Sequence, residues 1–166
     1  YEAIENNIRL MNRLAAERSF GEMLEAARSE TDWKNIRAYL NILEEYHSYM
    51  TQRQKVMTLS LLYELLMHSE GDIRRQSAAL MGLIIVTYDV EYRKELPEGV
   101  LREPEAVSGL SLWDEYSRMI LHPDHKITDR HKSFLRFTLK LVLDAVMTNA
   151  GPDHRRAYLE AFLNQF

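Results

Sequence analysis

The chain has 166 residues, 46% hydrophobic and 28% charged, which suffices for one domain with a continuous core. A net charge of −4 argues against duplex DNA or an anionic membrane as the main partner. The absence of cysteine excludes disulfides, thiolate metal sites and a cysteine nucleophile.

Apolar residues recur at helical spacing from the first turn onward. Ile4, Ile8, Met11 and Ala15 form one stripe, and Phe20, Met23, Leu24 and Ala27 form the next. Ser19 with Glu22 three residues on carries a capping-box signature and predicts a helix start between them. Trp33, Ile36, Leu40, Leu43 and His47 make a third stripe. From about Arg53 to His68 the chain is apolar on nearly all sides, through Val56, Leu59, Leu62, Tyr63 and Leu66. A helix of that kind is covered on more than one face.

Asp72 is expected to cap a helix bearing Ile73, Leu80, Met81, Ile84 and Tyr88. The stretch from Glu91 to Leu110 holds Pro97, Gly99, Pro104 and Gly109 and reads as an irregular insertion inside one domain spanning 1–166. A short helix follows Ser111, with Leu112, Trp113, Tyr116, Met119 and Ile120. A long one runs from about Thr128 to Thr148, with Phe134, Leu135, Leu139, Val142 and Val146. Gly151 closes it, Pro152 opens the last helix, and Tyr158, Leu159, Phe162, Leu163 and Phe166 give its stripe. No segment alternates with period two, so the fold class expected is all-α.

Internal similarity sharpens that expectation. Val56 to Tyr88 reads as an apolar helix, a polar turn ending in aspartate, and a second helix with small residues and a glycine. Asp72, Ile73, Arg74, Ala78, Met81 and Gly82 stand where HEAT repeats carry Asp, an aliphatic residue, Arg, a small residue, Leu and Gly. Methionine for leucine is the one departure. Forty residues earlier Asp32, Trp33, Lys34, Ala38, Leu40 and Leu43 repeat the pattern more weakly. Ser111 to Leu121, the turn His122 to Lys126 and the helix after Ile127 form a looser third copy, with Arg136 at the glycine's place. The chain thus resembles the HEAT-repeat family over roughly two-thirds of its length. The resemblance implies antiparallel helical pairs stacked as a short right-handed α-solenoid, with second helices lining a concave groove.

Candidate chemistry is sparse. His122, Asp124, His125, Asp129 and His131 are metal-ligand types within ten residues. Pro123 and the turn deny them a shared helical register, so a solvated inter-helix turn is the stronger reading, and no metal or cofactor is expected. Glu44–Glu45 and Asp114–Glu115 are adjacent pairs that point to different helix faces, unlike facing catalytic carboxylates. No phosphate-cradling glycine loop or nucleophile elbow occurs. Tyr39, Tyr46, Tyr49, Tyr63, Tyr88 and Tyr92 fall on or near the stripes and read as core or groove wall.

Charge is the remaining signal. Residues 126–156 carry seven basic and three acidic side chains, whereas residues 1–70 carry eight basic and eleven acidic. Lys132, Arg136 and Lys140 recur every four residues along one helix face. An ordinary solvated face would look the same. If second helices line a groove, its polar contacts are Arg37, Asn41, Arg74, Lys132, Arg136 and Lys140. The function expected is a non-catalytic interaction or regulatory module that takes a peptide or a neighbouring domain. The alternative is a nucleic-acid-binding domain using the basic helix 128–148. No apolar run approaches the about 18 residues of a membrane span, since the longest, Leu80 to Val86, is interrupted by Gly82. Without cysteine or a secretory signal, a cytoplasmic location is expected. A first residue of tyrosine, not methionine, suggests an excerpt of a larger protein.

Overall fold

The computed structural model describes residues 2–94, 96–99 and 107–166, and in the first helix the side chains at 4, 5, 8 and from 16 onward. The side chains of Met11 and Ala15, and residues 95 and 100–106 of the expected insertion, lie outside this description. Seven α-helices and one short 3-10 turn account for the described secondary structure.

Four helices begin at a side chain that takes up the free amides of the first turn. Asp32 accepts from the Lys34 amide at 2.9 Å and opens α2, Trp33–Tyr46. Thr51 accepts from the Gln54 amide at 3.1 Å while Gln54 accepts from the Thr51 amide at 3.0 Å, a reciprocal box that opens α3, Gln52–Leu65. Ser108 accepts from the Ser111 amide at 3.1 Å and opens α5, Gly109–Leu121. Thr128 accepts from the His131 amide at 3.2 Å and opens α6, Asp129–Asn149. Pro152 at the start of α7, Pro152–Leu163, needs no such acceptor because its own N–H is missing.

Four sequence expectations are corrected. Ser19 does not start a helix: α1 runs unbroken over Glu2–Ser29. The chain from Ala15 to Phe20 contains no proline and no run of turn formers, so the two apolar stripes share one helix. Asp72 is not the cap of α4, Gly71–Arg93; Glu70 occupies that position without a side-chain bond, and Asp72 pairs with Arg75 in the first turn. Ser111 lies inside α5, because Ser108 captures its amide three residues earlier. The irregular stretch is also shorter than 91–110, since α4 continues to Arg93 and α5 starts at Gly109.

The molecule is all-α, with helix packed on helix. α4 is the centre and touches α2, α3, α5 and α6. Met81, Ile84 and Ile85 of α4 are fully buried, as are Leu59, Leu61 and Leu62 of α3. Gly82 marks the closest approach of α4 to α6. A Cβ there would stand 2.4 Å from Cβ of Ala145 and 2.8 Å from the Val146 nitrogen. The small residue expected to allow close helix contact does so here, with Ala78 buried one turn before it.

α7 closes the far side against α5 and α6. Trp113 is fully buried, stacks on Phe162 at 6.1 Å between ring centroids, and donates its indole N–H to the Tyr158 carbonyl at 2.9 Å. Asp89, 1% exposed near the end of α4, ties three helices together. It accepts from the Gly109 amide at 3.0 Å and from the Tyr158 hydroxyl at 2.7 Å, and pairs with Arg93. Gly109 is required there, because a Cβ would come within 2.1 Å of the Asp89 Cβ. Burial raises the Tyr158 hydroxyl to about 12, against a lowering by Arg93, which keeps it the proton donor of that bond.

Candidate functional site

Three open hollows are large enough to receive side chains of a partner. The first, about 410 Å³, lies where α2, α4 and α6 meet. Arg37, Asn41 and Glu44 are spaced by four and three residues, which puts them on one side of α2. Gln76 of α4 donates to the Asn41 carbonyl oxygen at 2.6 Å and fixes that side against α4. Ala79, Leu80 and Leu83 of α4 form the apolar floor. Leu141, Asp144 and Thr148 of α6 form the opposite wall, and Glu44 closes the α2 wall.

The second hollow, about 250 Å³, lies between the end of α5 and the first half of α6. Ile120, Leu121, Pro123 and Leu139 line it, with Lys132 and Arg136 at its edge. Lys140 is exposed one turn further along the same row.

The third, about 470 Å³, is bordered by α1, α3 and the start of α6. Its charges are already engaged. Arg28 donates to Glu64 at 2.6 Å and pairs with Glu25, and hydrogen bonding to Glu64 is the main reason its pKa is raised. Glu30 accepts from the Thr31 and Asp32 amides, each at 3.0 Å. Phe134 is held between the guanidinium groups of Arg74 and Arg130, 4.2 Å and 5.5 Å from its ring centroid. His68 accepts from the Glu70 amide at 2.9 Å through Nδ1, and burial lowers its pKa.

The six residues expected to share one groove divide between these places. Asn41 adjoins the first hollow through its bond to Gln76, whereas Arg37, exposed one turn earlier on α2, does not line it. Arg74 is occupied by the His68 and Ser69 carbonyls, at 2.7 Å and 2.9 Å, and by Phe134. Lys132 and Arg136 border the second hollow and not the first. The two flanks of α6 differ because Leu139 follows Lys132 by seven residues, whereas Leu141 and Ala145 fall on the side where Gly82 packs. Phe137, 77% exposed, stands on the crest between them.

In the histidine turn, Asp124 accepts from the Lys126 amide at 2.9 Å and lies 3.4 Å from His125. His122 reaches instead toward the Gln165 carbonyl at 3.4 Å, and His131 lies beside Phe134. No group of three or more metal-ligating side chains forms among the described residues. No helix among them is long and apolar enough to cross a membrane.

The floor and far wall of the first hollow were missed from sequence. Gln76, Ala79 and Leu83 have the same three-and-four spacing as Arg37, Asn41 and Glu44, and that register was the available signal. Comparison with family models, with curated proteins and with solved structures finds no match for this chain.

Proposed function

We propose that the chain is a non-catalytic interaction module that holds a peptide or a neighbouring domain in the hollow between α2, α4 and α6. The observation that carries this reading is the combination of an aliphatic floor with polar walls drawn from three different helices. Specific sites pair an apolar interior with a few placed polar groups in this way. The Asn41–Gln76 bond uses one donor and one acceptor of two amides. The Gln76 carbonyl and the Asn41 NH2 group remain able to meet a partner's main chain. Glu44 and Asp144 in its walls would favour a cationic side chain on the bound segment.

The central position of α4 between α2 and α6 supports stacking of the helices as pairs α1/α2, α3/α4 and α5/α6, a short HEAT-like right-handed solenoid with α2, α4 and α6 on its inner face. A cysteine-free chain suits a reducing compartment, and a cytoplasmic scaffold is the role proposed.

A photoreactive benzoylphenylalanine at Ala79, exposed on the groove floor, tests the reading in cell extract. Protein adducts that disappear with Gln76→Glu plus Leu83→Glu are the expected result. Adducts removed by nuclease would transfer the site to nucleic acid. Labelling unaffected by the double variant would discard the hollow as a binding site.

A further inference from the structure

The row Lys132, Arg136 and Lys140 borders an interaction surface separate from the α2–α4–α6 hollow. None of the three has a carboxylate within 4.0 Å among the described residues, whereas Arg118 pairs with Asp114 and Arg156 with Glu160. Arg155 is spent on the Met147 and Ala150 carbonyls at 3.0 Å and 3.1 Å, and Arg130 lies over Phe134. Of the five arginines after residue 110, Arg136 alone has no such partner among the described residues. Like charges four residues apart on one helix repel, so the row costs the free molecule stability that a partner could return.

The row sits at the edge of the about 250 Å³ hollow whose lining is otherwise aliphatic: Ile120, Leu121, Pro123 and Leu139. α7 covers the neighbouring part of this side, its end drawn toward the turn by Gln165, whose carbonyl faces His122 and whose side chain donates to Asp114 at 2.5 Å. The first half of α6 therefore presents an apolar trough with cations along one lip, at a rise of about 6 Å per four residues.

We propose that this trough docks an acidic amphipathic helix of a protein partner. One apolar side chain of that helix fills the space between Leu121 and Leu139. Carboxylates spaced by four residues, on the adjoining strip of the partner helix, meet Lys132, Arg136 and Lys140. A partner helix repeats its charges at the same rise as the row, about 6 Å, whereas carboxylates on alternate residues of an extended chain recur at about 6.7 Å and drift out of step along the row. Nucleic acid is disfavoured by the lining. Aliphatic side chains offer no stacking face, and three cations supply few of the phosphate contacts that sustain such binding.

The test uses two fluorescent helical peptides of equal length and apolar content, one with glutamates at i, i+4 and i+8, the other with lysines there. A single-stranded oligonucleotide is the third probe. Anisotropy should show the glutamate peptide bound and the lysine peptide not. The variant Lys132→Glu/Arg136→Glu/Lys140→Glu should weaken the glutamate peptide about tenfold or more and acquire affinity for the lysine peptide. Arg136 and Lys140 are exposed and Lys132 is only half-buried, so circular dichroism should report an unchanged fold. Leu139→Glu, at the floor, should weaken the glutamate peptide as well. Three results would overturn the proposal: no binding of the glutamate peptide up to about 1 mM, equal binding by the triple variant, or preference for the oligonucleotide. Because Asn41→Ala plus Gln76→Ala should leave this binding untouched, failure here is distinguishable from failure of the α2–α4–α6 hollow.

Discussion

His68 occupies the turn between α3 and α4, where its Nδ1 accepts the Glu70 amide. Burial holds its pKa below the ordinary 6.5; Glu70 opposes this and Arg74 adds to it. The unfolded chain therefore takes up a proton at higher pH than the folded one. The contribution of neutral His68 is full above the unfolded value and shrinks as pH falls through it. Urea midpoints should separate the wild type from His68→Gln more at about pH 7.5 than at about pH 5.5. A separation that widened on acidification would mean that the imidazolium is the favoured form. Nothing in the sequence marked this residue. Its hydrogen bond is local, but its burial comes from helices far away in the chain. Asp89 was hidden for the same reason. It stands two residues before the stretch expected to be irregular, and, Arg93 apart, its partners are 20 and 69 residues distant. Periodicity reports which face of a helix is buried and says nothing about a polar group buried on it.

At the scale of elements, helix positions followed from apolar spacing, and two of the boundaries that failed, at Asp72 and Ser111, had competing cap candidates. Two serines three residues apart, Ser108 and Ser111, offer equivalent side chains, and only the geometry of the preceding chain decides which amide is free. Gly82 was legible, because a glycine inside a strongly apolar helix needs a packing reason. Two opposing effects meet there. Alanine would gain about 1 kcal/mol of helix propensity. It would also drive a methyl into the backbone of α6, at an overpacking cost of about 1–3 kcal/mol. The Val146 nitrogen, 2.8 Å from where that methyl would stand, is main chain and cannot step aside alone. Gly82→Ala should therefore lower the thermal midpoint. Gly21→Ala, which would meet only the Met57 methyl at 3.9 Å, should raise it. A gain at both positions would show that α4 and α6 can part without loss.

For the molecule as a whole, the all-helical class was legible and the sharing of surfaces was not. Arg37, Asn41 and Arg74 lie on helices α2 and α4, and spacing within a helix cannot say which neighbour a given flank meets. α6 separates two hollows, and one turn holds residues that face either side of it. The joint at Asp89 carries a further consequence. Taken alone, a helix of 12 residues is marginal, with amides that exchange quickly. Here, lifting α7 leaves the buried Trp113 indole without its acceptor and deprives the buried Asp89 carboxylate of one of its donors. Deuterium uptake at α7 should accordingly be slow and keep pace with α4, so that α7 opens only together with α4. Tyr158→Phe removes one of the two ties, and should release α7 into faster exchange while the amides of α3 keep their protection.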